Sequence, residues 1–384
     1  MENRKVQTGL LEADGVSLTV PQLKTWLREH EEELIQLAGQ LAAIPSPSGS
    51  EGEKAAFVKS YLEKLGCQGV TVDGAGNVLY PWYCGKRYPV YSAHIDTVFE
   101  GLQEIRPKRE SWRLCAPSIG DNSINVAGLL LLIKLLQEWK VRAAQGALFA
   151  FNTGEEGLGN LKGIRQIVAD RQSQITYVIA LDLGGENCYV TPVGSKRYNV
   201  TVRTEGGHSY GAFGNRNAIA ALARLIDRLY GIVPPSRAKT TYNVGLIAGG
   251  RSVNTIAQEA KMTWEIRSED PECLAEMDRL FCTEVEAARQ LGDFSLEVIG
   301  ERPCGRAADV SFLKQRVERA FAGVGKKVIF ASASTDCNYP MSVGIPAISF
   351  GVCKGAGAHT QEEYILLDTL LPGMEILVRF FLDL

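Results

Sequence analysis

Histidine is scarce in this chain: four residues in 384, at positions 30, 94, 208 and 359. So short a supply leaves few places for an imidazole ligand or proton shuttle. Three of the four stand in Gly-rich or strand-end contexts, where ligands and catalytic groups gather. Cysteine occurs nine times but in no CxxC pair, and the odd, scattered set argues against a disulfide framework. These read as reduced, mostly buried thiols, and a cytoplasmic protein is expected. A strong charge of either sign is lacking too. With 41 basic against 44 acidic residues the net charge is −3, and no basic cluster interleaves with aromatics, which argues against nucleic acid as a partner. The opening MENRKVQTGLLEADG is too densely charged for the apolar region of an export signal. The longest apolar run, Val126 to Ile133, is followed by Lys134 and falls short of the ~20 residues a bilayer core requires. It reads as a core helix, and no membrane partner is expected.

What is present begins with SAHIDT, Ser92 to Thr97, after the apolar Pro89-Val90-Tyr91. His94 and Asp96, two residues apart, share one side of an extended segment. An imidazole can bind a metal through one nitrogen while a carboxylate fixes its second N–H and with it the tautomer. Alone, this pair reads more readily as a strand-end His satisfied by its neighbour. Asp121, in SIGDNS, stands just ahead of a long apolar helix, where free N–H groups and the helix dipole favour a carboxylate. In isolation it would be an N-cap. Ala147 to Phe151 reads as a buried strand running into NTGEEGLGN, and the adjacent Glu155 and Glu156 repel each other unless a cation or shared proton reconciles them. Tyr177 to Leu181 is another apolar strand, ending at Asp182, and Ala347 to Phe350 leads into GVCKGAGAHT with His359. Acidic and imidazole candidates thus repeatedly follow apolar strands or open helices. In an open α/β sheet such positions converge at the carboxyl edge, where ligands bind.

The remaining patterns organise the chain. Pro21 to Ala43 has helical apolar spacing up to the turn-rich PSPSG, and a second amphipathic helix follows from about Glu51 to Leu65. From Ser195 to about Gly305 the order is strand (197–203), helix (217–230), two strands (241–248 and 259–267), helix (271–291) and strand (294–299). This is the split βαβ order of a compact α/β sandwich. The expected organisation is therefore one α/β domain, 1–194 with 306–384, interrupted by an inserted domain at 195–305.

Taken together, HxD, GDN, GEEG, the strand-end Asp, GGHS and the late GAHT resemble the co-catalytic zinc metallopeptidase family. That family includes peptidase T, aminoacylases, acetylornithine and succinyl-diaminopimelate deacylases and carboxypeptidase G. The resemblance spans nearly the whole chain. SIGDNS, GEEGLGNLKG, GGHSYGAFGN, GGRSVNTI and STDCNYPMSVGIPA are most similar to the peptidase T-like branch. It implies a mixed-sheet α/β/α catalytic domain of the zinc aminopeptidase type with a ferredoxin-like lid that closes over the site and pairs two subunits. It also implies two zinc ions, replaceable by cobalt or manganese, with His94 and Asp182 on one, Glu156 and His359 on the other, and Asp121 bridging. Glu155 would be the general base, Asp96 the residue orienting His94, and His208 of the lid a stabiliser of the oxyanion. Asn254 and Arg267 would hold a substrate carbonyl or carboxylate. The family often carries a cis peptide after the bridging carboxylate, here Asp121-Asn122. This sequence departs from the family at Ile124 and Asn125, where a Lys, Arg or small residue and then Gly are usual.

The implied activity is hydrolysis of an amide bond in a small peptide, as a di- or tripeptide aminopeptidase acting as a homodimer. The same centre would serve a deacylase of N-acyl amino acids. A third reading, of a different class, is a metal-binding protein that has lost catalysis. Retention of five ligand positions and of Glu155 weighs against it.

Overall fold

The computed structural model describes residues 12–13, 16–17, 19–141, 146–182, 184–305 and 309–384. Most of the charged N-terminal stretch, and the expected domain junction at 305/306, lie outside or against the edge of these residues. The chain divides into two compact units, Met1–Val190 with Ala307–Leu384, and Thr191–Arg306.

The first unit is built on an eight-stranded mixed sheet. Its order is Ile329–Ala333, Asn187–Pro192, Ala347–Phe350, Ile175–Leu181, Tyr88–His94, Ala147–Asn152, Val78–Trp82 and Thr71–Val72. The four middle strands, from Ala347–Phe350 to Ala147–Asn152, run parallel. They are almost wholly buried apolar runs, as strands covered on both faces must be. Their carboxyl ends share one edge, which puts His94, the turn after Asn152, Asp182 and the segment after Phe350 side by side. On one face lie the helices Glu31–Ala42, Ile124–Glu138 and Leu370–Leu382, with Leu130, Leu377 and Phe380 in the core against Tyr91, Phe149 and Ile179. On the other, Lys162–Arg171 and Asn338–Ser342 bury Ile164, Ile167 and Met341 against Val90, Leu148 and Val178. The layers are therefore helix, sheet, helix. The segment Ile119–Glu138 is long and apolar enough to cross a bilayer, but 89% of its most apolar window is buried in the fold.

The helical pattern of Pro21 to Ala43 is two helices, Val20–Glu29 and Glu31–Ala42. His30 ends the first: its Nδ1 lies 2.8 Å from the carbonyl of Trp26, and its ring stacks on the indole at 3.9 Å.

The second unit is a four-stranded antiparallel sheet, ordered Thr240–Gly249, Glu259–Ser268, Gly194–Arg203, Asp293–Arg302. Helices Ala218–Tyr230 and Pro271–Ala288 pack on it, enclosing Leu222, Leu225, Trp264 and Phe281. Both helices start where the sequence supplies a cap. Asn217 accepts from the amides of Ile219 and Ala220, and Asp270, ahead of Pro271, accepts from Cys273. The order matches the split βαβ reading. Thr240–Gly249 is an edge strand that leaves Leu246 and Ile247 exposed.

Leu370–Leu382 packs closely on the chain after Phe350. A Cβ on Gly373 would run into the carbonyl of Val352. The Gly373→Ala variant should therefore lose about 1–3 kcal/mol of stability in denaturant unfolding. An unchanged midpoint would contradict this packing.

Candidate metal centre

Most candidate side chains in the first unit are delivered by a strand end or a helix start, and His359 by a turn beyond Gly355–Ala356. His94 is the last residue of the central strand and is almost fully buried. Its Nε2 lies 3.0 Å from Oδ1 of Asp121 and 3.7 Å from Oδ1 of Asp182. His359, in the left-handed region with φ 65°, points its Nε2 at Oδ2 of Asp121 and at Oε1 of Glu156, each 3.2 Å away. The two oxygens of Asp121 thus face two different imidazoles. One donor atom each from His94, Asp121 and Glu156 lie within 4.8 Å of one another.

Asp121 is held in place by the turn Ile119–Ser123, whose Asp121-Asn122 peptide is cis. Glu363 cradles this turn from across the fold. Its Oε1 accepts the amides of Gly120 (2.8 Å) and Asp121 (2.7 Å), and its Oε2 accepts that of Ser118 (2.9 Å). A Cβ at Gly120 would come 2.7 Å from that carboxylate, so a larger residue there would push Glu363 off the turn. Asn122 donates to the carbonyl of Leu181 at 2.8 Å, fixing the turn to the strand that ends at Asp182. Asn125, a departure from the usual family pattern, has its own work here. It is buried, donates to Asn122 at 2.7 Å and accepts the amide of Val352 at 2.9 Å, tying the helix start to the next strand end.

Asp96 does more than stand beside His94. Its Oδ1 is 3.5 Å from Nδ1 of His94, while its own backbone carbonyl is closer, at 3.2 Å. Its strongest bonds go elsewhere: Oδ1 accepts the amide of Glu155 and Oδ2 that of Glu156, both at 2.9 Å, with Ser48 donating to Oδ2 at 2.6 Å. One buried carboxylate thereby fixes the turn that carries both glutamates, each of which is buried.

The electrostatics follow from packing so many carboxylates away from water. Burial works against a charge on His94, but Asp121, Asp182 and Asp96 outweigh it and hold the imidazole well above its usual range. His359, bonded to Asp121 and Glu156, is pushed up to about 10. Burial would raise Asp121 too, yet the two imidazoles keep it well below the usual carboxylate range, whereas burial leaves Glu156 raised. Behind the centre Asp336 is fully buried. It accepts from Asn152 at 2.7 Å, its Oδ1 has no partner, and burial pushes it up to about 7. Sequence patterning gave no role to Asp336 or Glu363. The signal for Asp336 is its place in STDCNYPMSVGIPA, and for Glu363 only an acidic residue in a turn beside an apolar strand, which is common.

The other expected residues lie on the second unit. His208 and Asn254 are brought together there: Gly207–His208 pairs with Thr255–Ile256, and the amide of Ser209 donates to the carbonyl of Asn254 at 3.0 Å. Arg267 is not with them. It sits near the far end of Glu259–Ser268, opposite Ser195 and Thr241, with its guanidinium held by Glu265 at 3.0 Å.

A family model described as peptidase family M20/M25/M40 matches residues 90–383. Carboxypeptidase G2 of a Pseudomonas species is 25% identical, over 93% of this chain and 90% of its own. Among solved structures, aminopeptidase PepT from Bacillus cereus aligns with a TM-score of 0.74 at 22% identity, covering 92% of this chain and 98% of its own. A tripeptidase from Staphylococcus aureus aligns at 0.75 and 20%, covering 91% and 97%. A buried imidazole, a second exposed one and several buried carboxylates gathered at the carboxyl edge of the sheet, and a family match over most of the sequence, lead to one conclusion. The chain belongs to the M20/M25/M40 peptidase family and is a metal-dependent hydrolase.

Proposed function

We propose that the chain is a peptidase T-like enzyme that cleaves the amide bond of di- or tripeptides at a two-metal centre. The observation that carries this reading is Asp121, whose two oxygens each face a separate imidazole. With one oxygen 3.0 Å from His94 and the other 3.2 Å from His359, Asp121 would serve as a ligand common to both ions. His94 and Asp182 would hold one ion, Glu156 and His359 the other. The mixed nitrogen and oxygen donors suit zinc, with cobalt or manganese as substitutes. Such ions would supply Lewis acidity to the scissile carbonyl and to the attacking water.

The remaining roles fall to the chain itself. Glu155 takes a proton from the attacking water and returns it to the leaving nitrogen. Asp96 positions Glu155 through its backbone amide. His208 donates to the developing oxyanion, and Asn254 and Arg267 hold polar groups of the substrate. The aminopeptidase and tripeptidase among the similar folds support a peptide substrate. The second reading is an amidohydrolase acting on N-acyl amino acids, and a requirement for a free α-amino group separates the two. The second unit would serve as lid and pair two copies through its edge strand Thr240–Gly249, where Leu246 and Ile247 are exposed.

Three outcomes are expected. Glu155→Gln keeps its metal by elemental analysis but loses ~10²- to 10⁴-fold in kcat on tripeptides; undiminished turnover would remove Glu155 as the base. The imidazoles of the metal-free centre carry protons at neutral pH, His359 being pushed up to about 10. Cations must displace those protons, so zinc binding releases protons and its apparent affinity falls as pH drops from 8 to 6. Calorimetry in two buffers of different ionisation enthalpy reads this release directly, and an absence of release would contradict the ligand set. The Ile247→Lys variant converts a dimer to monomer by sedimentation, and a dimer that survives it must use another surface.

A further inference from the structure

The first unit carries a cavity of about 480 Å³ with Asp121 in its wall. That is within the about 300–1,000 Å³ usual for small-ligand sites. Every residue that lines it belongs to the first unit. Gly120 and Asp121 form one side, and the segments that follow Asp182 and Phe350 contribute Glu186, Tyr189, Lys354 and Ala356. Much of the wall is bare backbone. Gly184 lies against the carbonyl of Cys353 and Gly355 against that of Tyr364, so closely that neither position has room for a Cβ.

The polar side chains around the cavity are committed to one another or to the backbone. Nζ of Lys354 lies 2.6 Å from Oε1 of Glu186, and Asn187 donates to the hydroxyl of Tyr189 at 3.3 Å. Glu363 spends both oxygens on the amides of the Asp121 turn. What is left to meet a ligand is mainly apolar: the rings of Tyr189 and Tyr364 and the side chain of Ile329. Ile329 opens the outermost strand of the sheet, where its amide donates to the carbonyl of Glu186 at 2.7 Å, and it is 55% exposed. A lone exposed isoleucine is ordinary. One on the wall of a cavity that also holds Asp121 gives a ligand beside the centre a surface to pack on.

The cavity also has a side. Glu155 returns its proton to the leaving nitrogen, so the leaving part of the substrate lies toward the turn 154–159 that carries Glu155. That turn lines a different hollow, with Ser48 and Thr97, and contributes nothing to this cavity. The acyl part, the residue whose carbonyl is attacked, is left to the cavity.

We propose that this cavity takes the side chain of the substrate's amino-terminal residue and that Ile329 makes it select a large apolar one. The proposal rests on the peptidase reading for the identity of that residue, but it can fail separately. An apolar pocket distinguishes side chains by about 10-fold or more per methylene it encloses.

The test compares kcat/KM of the zinc-loaded enzyme on Leu-Gly-Gly, Gly-Leu-Gly and Gly-Gly-Gly. Leu-Gly-Gly should exceed Gly-Gly-Gly by ~10-fold or more, and Gly-Leu-Gly should gain none of this. I329D should cut the Leu-Gly-Gly to Gly-Gly-Gly ratio ~5-fold or more, whereas I329V should keep most of it. V72D, on the exposed strand at the other edge of the sheet, should not change it. Peptides cleaved without regard to their first residue, a preference carried by the second residue, or a ratio untouched by I329D would overturn the pocket and spare the peptidase reading. Cleavage of N-acyl amino acids in place of peptides would remove the peptidase reading instead. The pocket would then show as a preference for N-hexanoylglycine over N-acetylglycine that I329D reduces, and equal rates on those two would overturn it as well.

Discussion

A single carboxylate facing two imidazoles is the constraint on which the rest of the first unit depends. For Asp121 to present one oxygen to His94 and the other to His359, its backbone must be fixed against three neighbours at once. The amides of its turn are taken up by Glu363, Asn122 anchors to the strand end at Leu181, and Asn125 anchors to Val352. Each tie satisfies a polar group that burial would otherwise leave stranded, so geometry and hydrogen-bond accounting are met by the same residues. The apolar helix behind this turn then has one task, to hold it at the sheet edge.

The same arrangement sets the electrostatic character of the site. Asp96, Asp121, Glu155, Glu156, Asp182 and Asp336 are all buried in the first unit, an assembly that is costly unless positive charge is brought to it. Without cations the imidazoles carry that charge. Lys54, also buried, is brought down to about 8 by burial despite the nearby Asp96, so its charge is lost just above neutral pH. The centre is built with more negative charge than the protein itself balances.

Much of this was legible in the sequence because the ligands follow short apolar runs bounded by glycine and polar residues. Strands ending at His94, Asn152, Leu181 and Phe350 stand where those runs predict, and the inserted order of strands and helices matches the second unit. What escaped depends on distant contacts. Glu363 meets residues more than 240 positions earlier, and Asp336 meets Asn152 across 184. No local pattern encodes such a partner. The break at His30 was hidden for the opposite reason, since helical apolar spacing continues through it while a local contact with Trp26 ends the first helix. Asn125 departs from the glycine usual in the family, and its two hydrogen bonds give it a structural function at the helix start.

The insertion falls between the parts of the centre. His94, Asp121, Glu156 and Asp182 precede Thr191–Arg306, whereas His359 and Glu363 follow it. As the chain leaves the ribosome, the acidic half of the centre exists before the imidazole and the cradle that complete it, with a whole second unit synthesised in between. The order of synthesis thus leaves the centre incomplete until the last part of the polypeptide, with His359 and Glu363, has been made.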